Sequence, residues 1–446
     1  MKKEERSYFY LLVLHVAIGV LVFVLPFVTK IYSILLFAFG VYYLIKTKNR
    51  NNEALVLSAY VISVEVLLRM TNGMFFNEYA KYSIMIFMFI GMIYSGVSKH
   101  SVLYWLFLLL LIPGILLATV TLNIETDIRK AIAFNISGPV CLGISAIYCF
   151  QRKITFDRLK DVIGAFSLPL VAILVYLFLY TPSIKDVVTS TQSNFETSGG
   201  FGPNQMSTIL GFGIFVFFVR LLFSSSKKMQ LINGLLVLFF VFRGLVTFSR
   251  GGIITGIVMI ILFLVVLYFQ GNSIGKSKIG SILVFSVISF LGVWAYGSIQ
   301  TRGLLDKRYA NEDARGRKKE SQLSGREVLI ESELQMFLDH PILGVGVGKN
   351  KEYREEQTGI QAASHNEITR MLAEHGLLGI IDLLILLFTP MVLFLNNRQN
   401  VFALSFVVFW LLTINHAAMR LAAPAFVYAL SLLKVYSLEK PTVHRE

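Results

Sequence analysis

The sequence has few charged residues and almost no cysteine. Charged side chains make up 15% of the 446 residues, and the chain has two cysteines. Such a low share of charge excludes a soluble domain, in which about a quarter of the residues are charged. Cys141 and Cys149 lie eight positions apart in one predicted helix. That spacing is roughly 12 Å, too far for a disulfide, so we predict that both residues only pack.

Apolar residues, in contrast, make up 55% of the chain, and the mean hydropathy is +0.67. Apolar stretches of about 17–25 residues recur along it, each long enough to cross ~30 Å of hydrocarbon. The sequence therefore predicts an all-α polytopic integral membrane protein with about 12–14 transmembrane helices. The predicted spans lie near 8–27, 31–46, 53–70, 82–97, 101–120, 131–150, 161–181, 206–223, 229–247, 252–270, 281–298, 370–395, 401–416 and 421–437.

Lysine and arginine in the short joints between spans predict that both termini are cytoplasmic. Two extracytoplasmic segments are then much longer than the others, 182–205 and 299–369. Loops of this length in a compact protein are usually functional or disordered. We expect three regions: a transmembrane bundle over 1–298, a large extracytoplasmic loop with short helices over 299–369, and C-terminal transmembrane helices over 370–446.

The large loop contains signals of ordered structure. Ser324 and Glu327 have the spacing of a capping box, which predicts a helix over about 325–339. Its apolar face predicts that it lies on the membrane surface or over a cavity mouth. That face consists of Ile330, Leu334, Phe337 and Leu338. The glycine-rich run 344–348 allows the chain to turn closely.

A histidine lies where the large loop meets the next span. Ser364 and Glu367 have capping-box spacing, so the helix is expected to begin at Ser364, with His365 in its first turn. The helix dipole there opposes a positive charge, which favours the neutral imidazole that a general base needs. The alternative is an interfacial polar residue without a catalytic role.

Arginines supply a second set of candidates. Basic residues cluster between Arg302 and Arg326, although a solvated loop would also explain them. Arg250 lies between two apolar spans, where an arginine either snorkels or faces a partner or cavity. Guanidinium groups bind phosphates bidentately, so Arg250 with Arg326 and Arg370 would suit a pyrophosphate. Arg370 and Glu374 have i,i+4 spacing, and the pair either orients His365 or neutralises itself.

These motifs together resemble the O-antigen ligase and polymerase superfamily, over roughly residues 195–395. The resemblance is carried by Gly202-Pro203-Asn204-Gln205, Ser249-Arg250-Gly251, Gly325-Arg326-Glu327, the run from His340 to Gly346, and His365-Asn366 with Glu374 and Gly376. Each motif alone is a weak pattern. Their occurrence in the order typical of the family makes the match specific.

The resemblance implies a GT-C-type membrane glycosyltransferase of the bacterial inner membrane, with its active site on the extracytoplasmic side. It would transfer a glycan from an undecaprenyl-pyrophosphate carrier to an acceptor hydroxyl. His365 would be the base, and Arg250 and Arg326 would hold the departing pyrophosphate. Substrate contacts are expected from Asn204, Ser249, Arg302, Asn366, Arg370 and Glu374. No metal ion and no cofactor are expected, and no nucleic acid; the other partners are membrane lipids.

Three functions stay open at this point. The first is O-antigen ligation to a lipid A-core acceptor. The second is polysaccharide polymerisation or protein O-glycosylation by the same chemistry, with a growing glycan or a protein hydroxyl as acceptor. The third is transport of a lipid-linked sugar, which the concentration of polar residues at one face disfavours. Asp382 and Arg420 are further charges near predicted spans that would line a donor groove.

Overall fold

The protein is described from a computed structural model that covers residues 3–271, 273–319, 321, 326–359, 361–417 and 419–437. Among these residues, ten helices are long and apolar enough to cross a membrane. Two shorter apolar helices, Tyr79–Ser95 and Ala403–Ile414, accompany them. The prediction of an all-α polytopic membrane protein is confirmed.

The helices follow one another along the chain with short connections until the polar region after residue 300. They are α1 (Lys3–Val24), α2 (Val28–Thr47), α3 (Glu53–Met70), α4 (Tyr79–Ser95), α5 (Val102–Leu110), α6 (Ile112–Thr121), α7 (Ile128–Cys149), α8 (Phe156–Tyr180), α9 (Ile184–Val187), α10 (Pro203–Phe223), α11 (Lys227–Leu245), α12 (Arg250–Gln270), α13 (Ser273–Gln300), α14 (Leu304–Tyr309), α15 (Glu327–Asp339), α16 (Lys349–Thr358), α17 (Glu367–Asn396), α18 (Ala403–Ile414) and α19 (Ala423–Leu430). Two short strands, β1 (Lys153–Thr155) and β2 (Lys434–Tyr436), pair in parallel.

Each predicted span overlaps a helix, but the last one is wrong as a membrane crossing. Within 421–437 only α19 is helical, and its length of about 12 Å is well short of ~30 Å of hydrocarbon. The chain then continues into β2, where Val435 pairs with Ile154 of β1. An apolar run of this length cannot by itself distinguish a span from a shorter buried segment.

Helix α10 lies at the centre of the bundle and packs against α8, α11 and α12. Glycines let α10 and α12 approach at backbone distance, as small residues do in membrane helix pairs. A Cβ added to Gly211 would lie 1.9 Å from the carbonyl oxygen of Gly252, and one added to Gly256 would lie 2.4 Å from that of Gly211. The two helices run parallel, so their first residues lie together at one end of the bundle.

Helix α17 is interrupted at Gly376, where φ is 59°. The segment that precedes α16 inserts at this break. Val345 N–H donates to the Ala373 carbonyl at 2.8 Å, and Leu377 N–H donates to the Pro341 carbonyl at 2.7 Å. The part of α17 from Leu377 onward is about 30 Å long, enough to cross the bilayer. The part before the break therefore belongs to the polar end of the molecule.

Candidate active site

The first residues of α10 and α12 are in direct contact at one end of the bundle. Ser249 precedes α12 in an extended conformation, and its hydroxyl donates to Asn204 Oδ1 at 2.8 Å. The Ser207 hydroxyl donates to the Ser249 carbonyl at 2.6 Å. Two motifs that lie 45 positions apart in the sequence are therefore in direct contact. They hold Arg250, the first residue of α12, at the end of the bundle.

Arg250 belongs to a group of cations that includes Arg308 and Lys319. Arg308 donates from Nε to the Phe248 carbonyl at 2.8 Å. Burial lowers the pKa of Arg308, and Arg250 and Arg326 lower it further. Burial likewise lowers the pKa of Lys319, with Arg308 and Arg250 adding to the effect. Positive charges gathered in partly desolvated positions are costly, which is typical of a site that receives an anion.

Arg308, rather than Arg302, is the arginine of this part of the chain that lies beside Arg250. Arg302 is exposed, with a φ of 54°, in the turn between α13 and α14. Its expected substrate contact stays a prediction, and Arg308 is a further candidate for that contact. The sequence showed a basic cluster but not which member faces inward, because α14 is a single short helix whose orientation depends on its packing.

A small cavity of about 50 Å³ adjoins Arg326, whose charge acts on Arg308. It is lined by Arg326, Leu329, Ile330, Glu333, Ser364, His365, Asn366 and Asn415. Of the residues predicted for the site, Arg326, His365 and Asn366 are brought together here. Arg326 is the N-cap of α15, so this helix begins at the wall of the cavity.

His365 lies just before α17, and not in its first turn as predicted. Helix α17 begins at Glu367, and its N-cap is Asn366, whose side chain accepts a hydrogen bond from Ile368 N–H at 2.9 Å. The predicted capping box of Ser364 and Glu367 is wrong. The Ser364 hydroxyl instead accepts a hydrogen bond from Asn366 N–H at 3.2 Å. Glu367 bonds to Arg370.

The neutral form of His365 is favoured for a different reason from the helix dipole. Burial lowers the pKa of His365 to about 4, and the neighbouring cations Arg420, Arg326 and Arg354 lower it as well. His416 contributes in the same direction. The ring is therefore neutral at pH 7, with an unprotonated nitrogen able to accept a proton.

Helix α15 lines the cavity with both apolar and charged residues, Leu329, Ile330 and Glu333. The helix begins at Glu327, and Ser324, the predicted partner in its capping box, lies outside the described residues. Its apolar residues Leu334 and Leu338 are 40% and 67% exposed, while Glu333 is fully buried. This exposure fits the predicted position of α15 at the membrane surface. The burial of Glu333 was not foreseen, because its partner Arg354 lies on another helix, α16.

A buried ion pair supports the loop that carries His365. Arg354 of α16 and Glu333 of α15 form a salt bridge of 2.7 Å, with side chains 0% and 1% exposed. Arg354 also donates to Ser332 Oγ at 2.8 Å and to the Ala362 carbonyl. The pKa of Glu333 is raised by burial, although Thr369 and Arg354 oppose that shift. The pair fixes α15, α16 and the approach to His365 in one arrangement.

Arg370 and Glu374 do not face the cavity. Arg370 is 4% exposed and forms salt bridges with Glu367 and with Glu374, the latter at 2.7 Å. Glu374 is fully buried and accepts a hydrogen bond from Gly348 N–H at 2.9 Å. The pair neutralises itself and ties the glycine run to α17. Their expected contact with substrate stays a prediction.

The connection after α18 closes the site from the other side. His416 lies close to the backbone of Gly251, where an added Cβ would be 2.7 Å from the ring. His416 Nε2 is 3.1 Å from the Thr208 hydroxyl on α10. No sequence motif contains His416. The residue comes close to Gly251, next to Arg250, only because α18 packs beside α12.

Comparison with known families agrees with the motifs. Residues 234–384 match the family model described as O-Antigen ligase, Wzy_C. The matched range contains Arg250, Arg308, Arg326 and His365, and it ends before His416 and Arg420. The chain has no match among curated proteins or among solved structures. Residues 234–384 thus match the O-antigen ligase family, within a chain that has the apolar helices of a multi-pass membrane protein.

Proposed function

We propose that the protein transfers a glycan from undecaprenyl pyrophosphate to an acceptor hydroxyl, with lipid A-core as the acceptor, on the extracytoplasmic face of the bacterial inner membrane. In this proposal the site is the group formed by Arg250, Arg308, Arg326 and His365. The observation that carries it is the position of a neutral imidazole next to several partly buried guanidinium groups. A base and a leaving-group site are the two elements that this reaction needs.

The reaction is one substitution at the anomeric carbon of the donor glycan. His365 accepts the proton of the acceptor hydroxyl, and the oxygen forms the new bond to the anomeric carbon. The bond from that carbon to the pyrophosphate oxygen breaks, and the pyrophosphate leaves with its electron pair. Arg250, Arg308 and Arg326 stabilise the negative charge as it develops, which lowers the barrier because the charge is larger in the transition state than in the bound donor.

The proposal includes no metal ion, since the arginines supply the positive charge that a divalent cation would supply. Among the described residues there is no group of three or more histidine, cysteine, aspartate or glutamate side chains that could hold one. We therefore expect transfer in the presence of EDTA to equal transfer without it.

The decisive experiment uses the purified protein in liposomes with an undecaprenyl-pyrophosphate-linked glycan as donor. Lipid A-core, a second lipid-linked glycan and a protein hydroxyl are supplied as acceptors in separate reactions. The proposal expects glycosylated lipid A-core. Product on the lipid-linked glycan would instead identify a polymerase, and product on the protein an O-oligosaccharyltransferase. No product with any of them would contradict transferase activity.

The role of His365 is tested in the same assay with His365→Ala. Loss of a general base should lower the rate by about 10²–10⁴-fold. His100→Ala is the control, because His100 is an exposed histidine outside the motifs of the site. A His365→Ala rate close to that of wild type would reject His365 as the base.

A further inference from the structure

The connection between α18 and α19 contacts the site from outside the matched family domain. We call its described residues 415–417 and 419–422 the closing loop. Arg420 in this loop donates from Nη2 to the Ser364 carbonyl at 2.9 Å. Met419 N–H donates to Glu367 Oε2 at 3.3 Å. The closing loop therefore bonds to the chain on both sides of His365.

The closing loop is itself held by an ion pair of the N-terminal helices. Arg69 of α3 donates to the Arg420 carbonyl at 3.3 Å, and Glu65 accepts from Ala422 N–H at 2.9 Å. Glu65 and Arg69 form a salt bridge of 2.9 Å, with side chains 1% and 14% exposed. Glu78 and Lys81 extend the network, at 3.3 Å from Arg69 to Glu78 and 2.7 Å from Lys81 to Glu78.

Helix α7 fixes the closing loop on its remaining side. A Cβ on Gly138 would lie 2.6 Å from Cβ of Met419 and 2.9 Å from its carbonyl oxygen. With contacts this close, the loop backbone has little room to shift. Ionisable groups buried among membrane helices are costly and typically have a function. The charged network of α3 and α4 ends at Arg420, which donates a hydrogen bond to the segment that contains His365.

We propose that Arg420 is a positioning residue for glycan transfer, which orients His365 through Ser364, and that the Glu65–Arg69 pair holds Arg420 in place. This inference rests on the proposed role of His365 as the base. Arg420 lies beyond the end of the family match, so the base of this enzyme depends on a residue outside its ligase domain.

The charges that face His365 come from several elements. Arg326 of α15, Arg354 of α16, and His416 and Arg420 of the closing loop all oppose its protonation. Glu333 lines the same cavity, but its carboxylate is paired with Arg354. Loss of the Arg420 charge should therefore favour the protonated imidazole and move the acid limb of the rate profile to higher pH.

The test measures the transfer rate of Arg420→Gln against pH, with Arg398→Gln as the control at an exposed arginine. Loss of the charge-assisted hydrogen bond should lower the rate about tenfold or more. The acid limb should also move to higher pH. Arg420→Lys keeps the charge, so its acid limb should coincide with that of wild type. An unchanged rate in folded Arg420→Gln, or a lower rate with an unmoved acid limb, would overturn the proposal.

If Arg420→Gln does not fold, a second variant tests the proposal. Arg69→Lys keeps a positive charge beside Glu65 but cannot bridge Glu65, Glu78 and the Arg420 carbonyl together. It should lower the rate severalfold without moving the acid limb, and a wild-type rate would reject the anchoring role. If His365 is not the base, the outcome is different, because His365→Ala would then remain active.

Discussion

The Ser249 hydroxyl donates a hydrogen bond of 2.8 Å to Asn204 Oδ1, which joins the start of α12 to the start of α10. This bond fixes the conformation of the residue that precedes Arg250. The close glycine contacts of α10 with α12 prevent either helix from sliding along the other. The position of Arg250 is therefore set by helix packing, as expected for a group that must meet a defined position of a substrate.

The first prediction concerns the geometry of the arginines. If Arg250 and Arg326 each bind pyrophosphate oxygens with two parallel hydrogen bonds, lysine cannot replace them although it keeps the charge. We expect Arg250→Lys and Arg326→Lys each to lower the transfer rate at least tenfold, since a charge-assisted bond contributes about 1.5–3 kcal/mol. The measurement is the initial rate with undecaprenyl-pyrophosphate-linked glycan.

Arg317→Lys is the control for these variants. Its side chain is 72% exposed and pairs with Asp313 at 2.8 Å, so the substitution should leave the rate unchanged. Wild-type rates in both Arg250→Lys and Arg326→Lys would remove the two arginines from the proposed site and leave the departing pyrophosphate without its expected partners.

Arg308 provides the second prediction. Its Nε donates to the Phe248 carbonyl, and the charges of Arg250 and Arg326 act on its guanidinium. Arg308→Gln should raise the KM for the donor and lower kcat, because the pyrophosphate is already negatively charged in the bound donor and gains further negative charge in the transition state. Arg315→Gln, at an exposed position of the same region, should change neither value. Equal kinetics for the two variants would contradict a role for Arg308.

The third prediction is the pH dependence of transfer. His365 acts as a base only when neutral, and its pKa is lowered to about 4. The rate should therefore be nearly constant between about pH 6 and 8 with respect to this group, and should fall as the pH drops through about 4. An acid limb near 6.5, the usual pKa of histidine, would contradict the burial of His365 described here.

The same shift affects stability in a defined direction. Between about pH 4 and 6.5 the unfolded chain binds a proton at His365 that the folded protein does not bind. The contribution of His365 to the free energy of unfolding therefore falls as the pH is lowered through that range. His365→Gln removes this contribution, so the free energy of unfolding of the variant should depend less on pH between about 4 and 6.5.

The fourth prediction concerns the break in α17. Gly376 has a φ of 59°, and a Cβ there would lie 2.5 Å from the Pro341 carbonyl oxygen. Gly376→Ala should lower the thermal unfolding midpoint and the transfer rate, because the segment 341–348 would have to move. Gly359→Ala is the matched control: its φ is 69°, but no atom lies within 4 Å of the added Cβ. Equal unfolding midpoints would show that the contact at Pro341 is not restrictive.

The fold class and the motifs of the site follow from the amino-acid sequence alone. Apolar runs long enough to cross a bilayer can only form helices, since backbone groups must bond within the segment. This constraint predicted helices at every proposed span and a polar region between α13 and α17. The residue types of Ser249-Arg250-Gly251 and His365-Asn366 likewise indicated the family, without any knowledge of contacts.

Only the tertiary structure decided which charges face the cavity and which neutralise one another. Arg302 and Arg308 are equally basic in the sequence, but packing turns only Arg308 towards Arg250. The spacing of Arg370 and Glu374 was visible in the sequence, but not that the pair is buried away from the cavity. The contact of Arg420 with Ser364 at 2.9 Å joins positions 56 residues apart. Hydropathy and local spacing describe single segments, whereas the protonation of His365 depends on burial and on charges brought from three other parts of the chain.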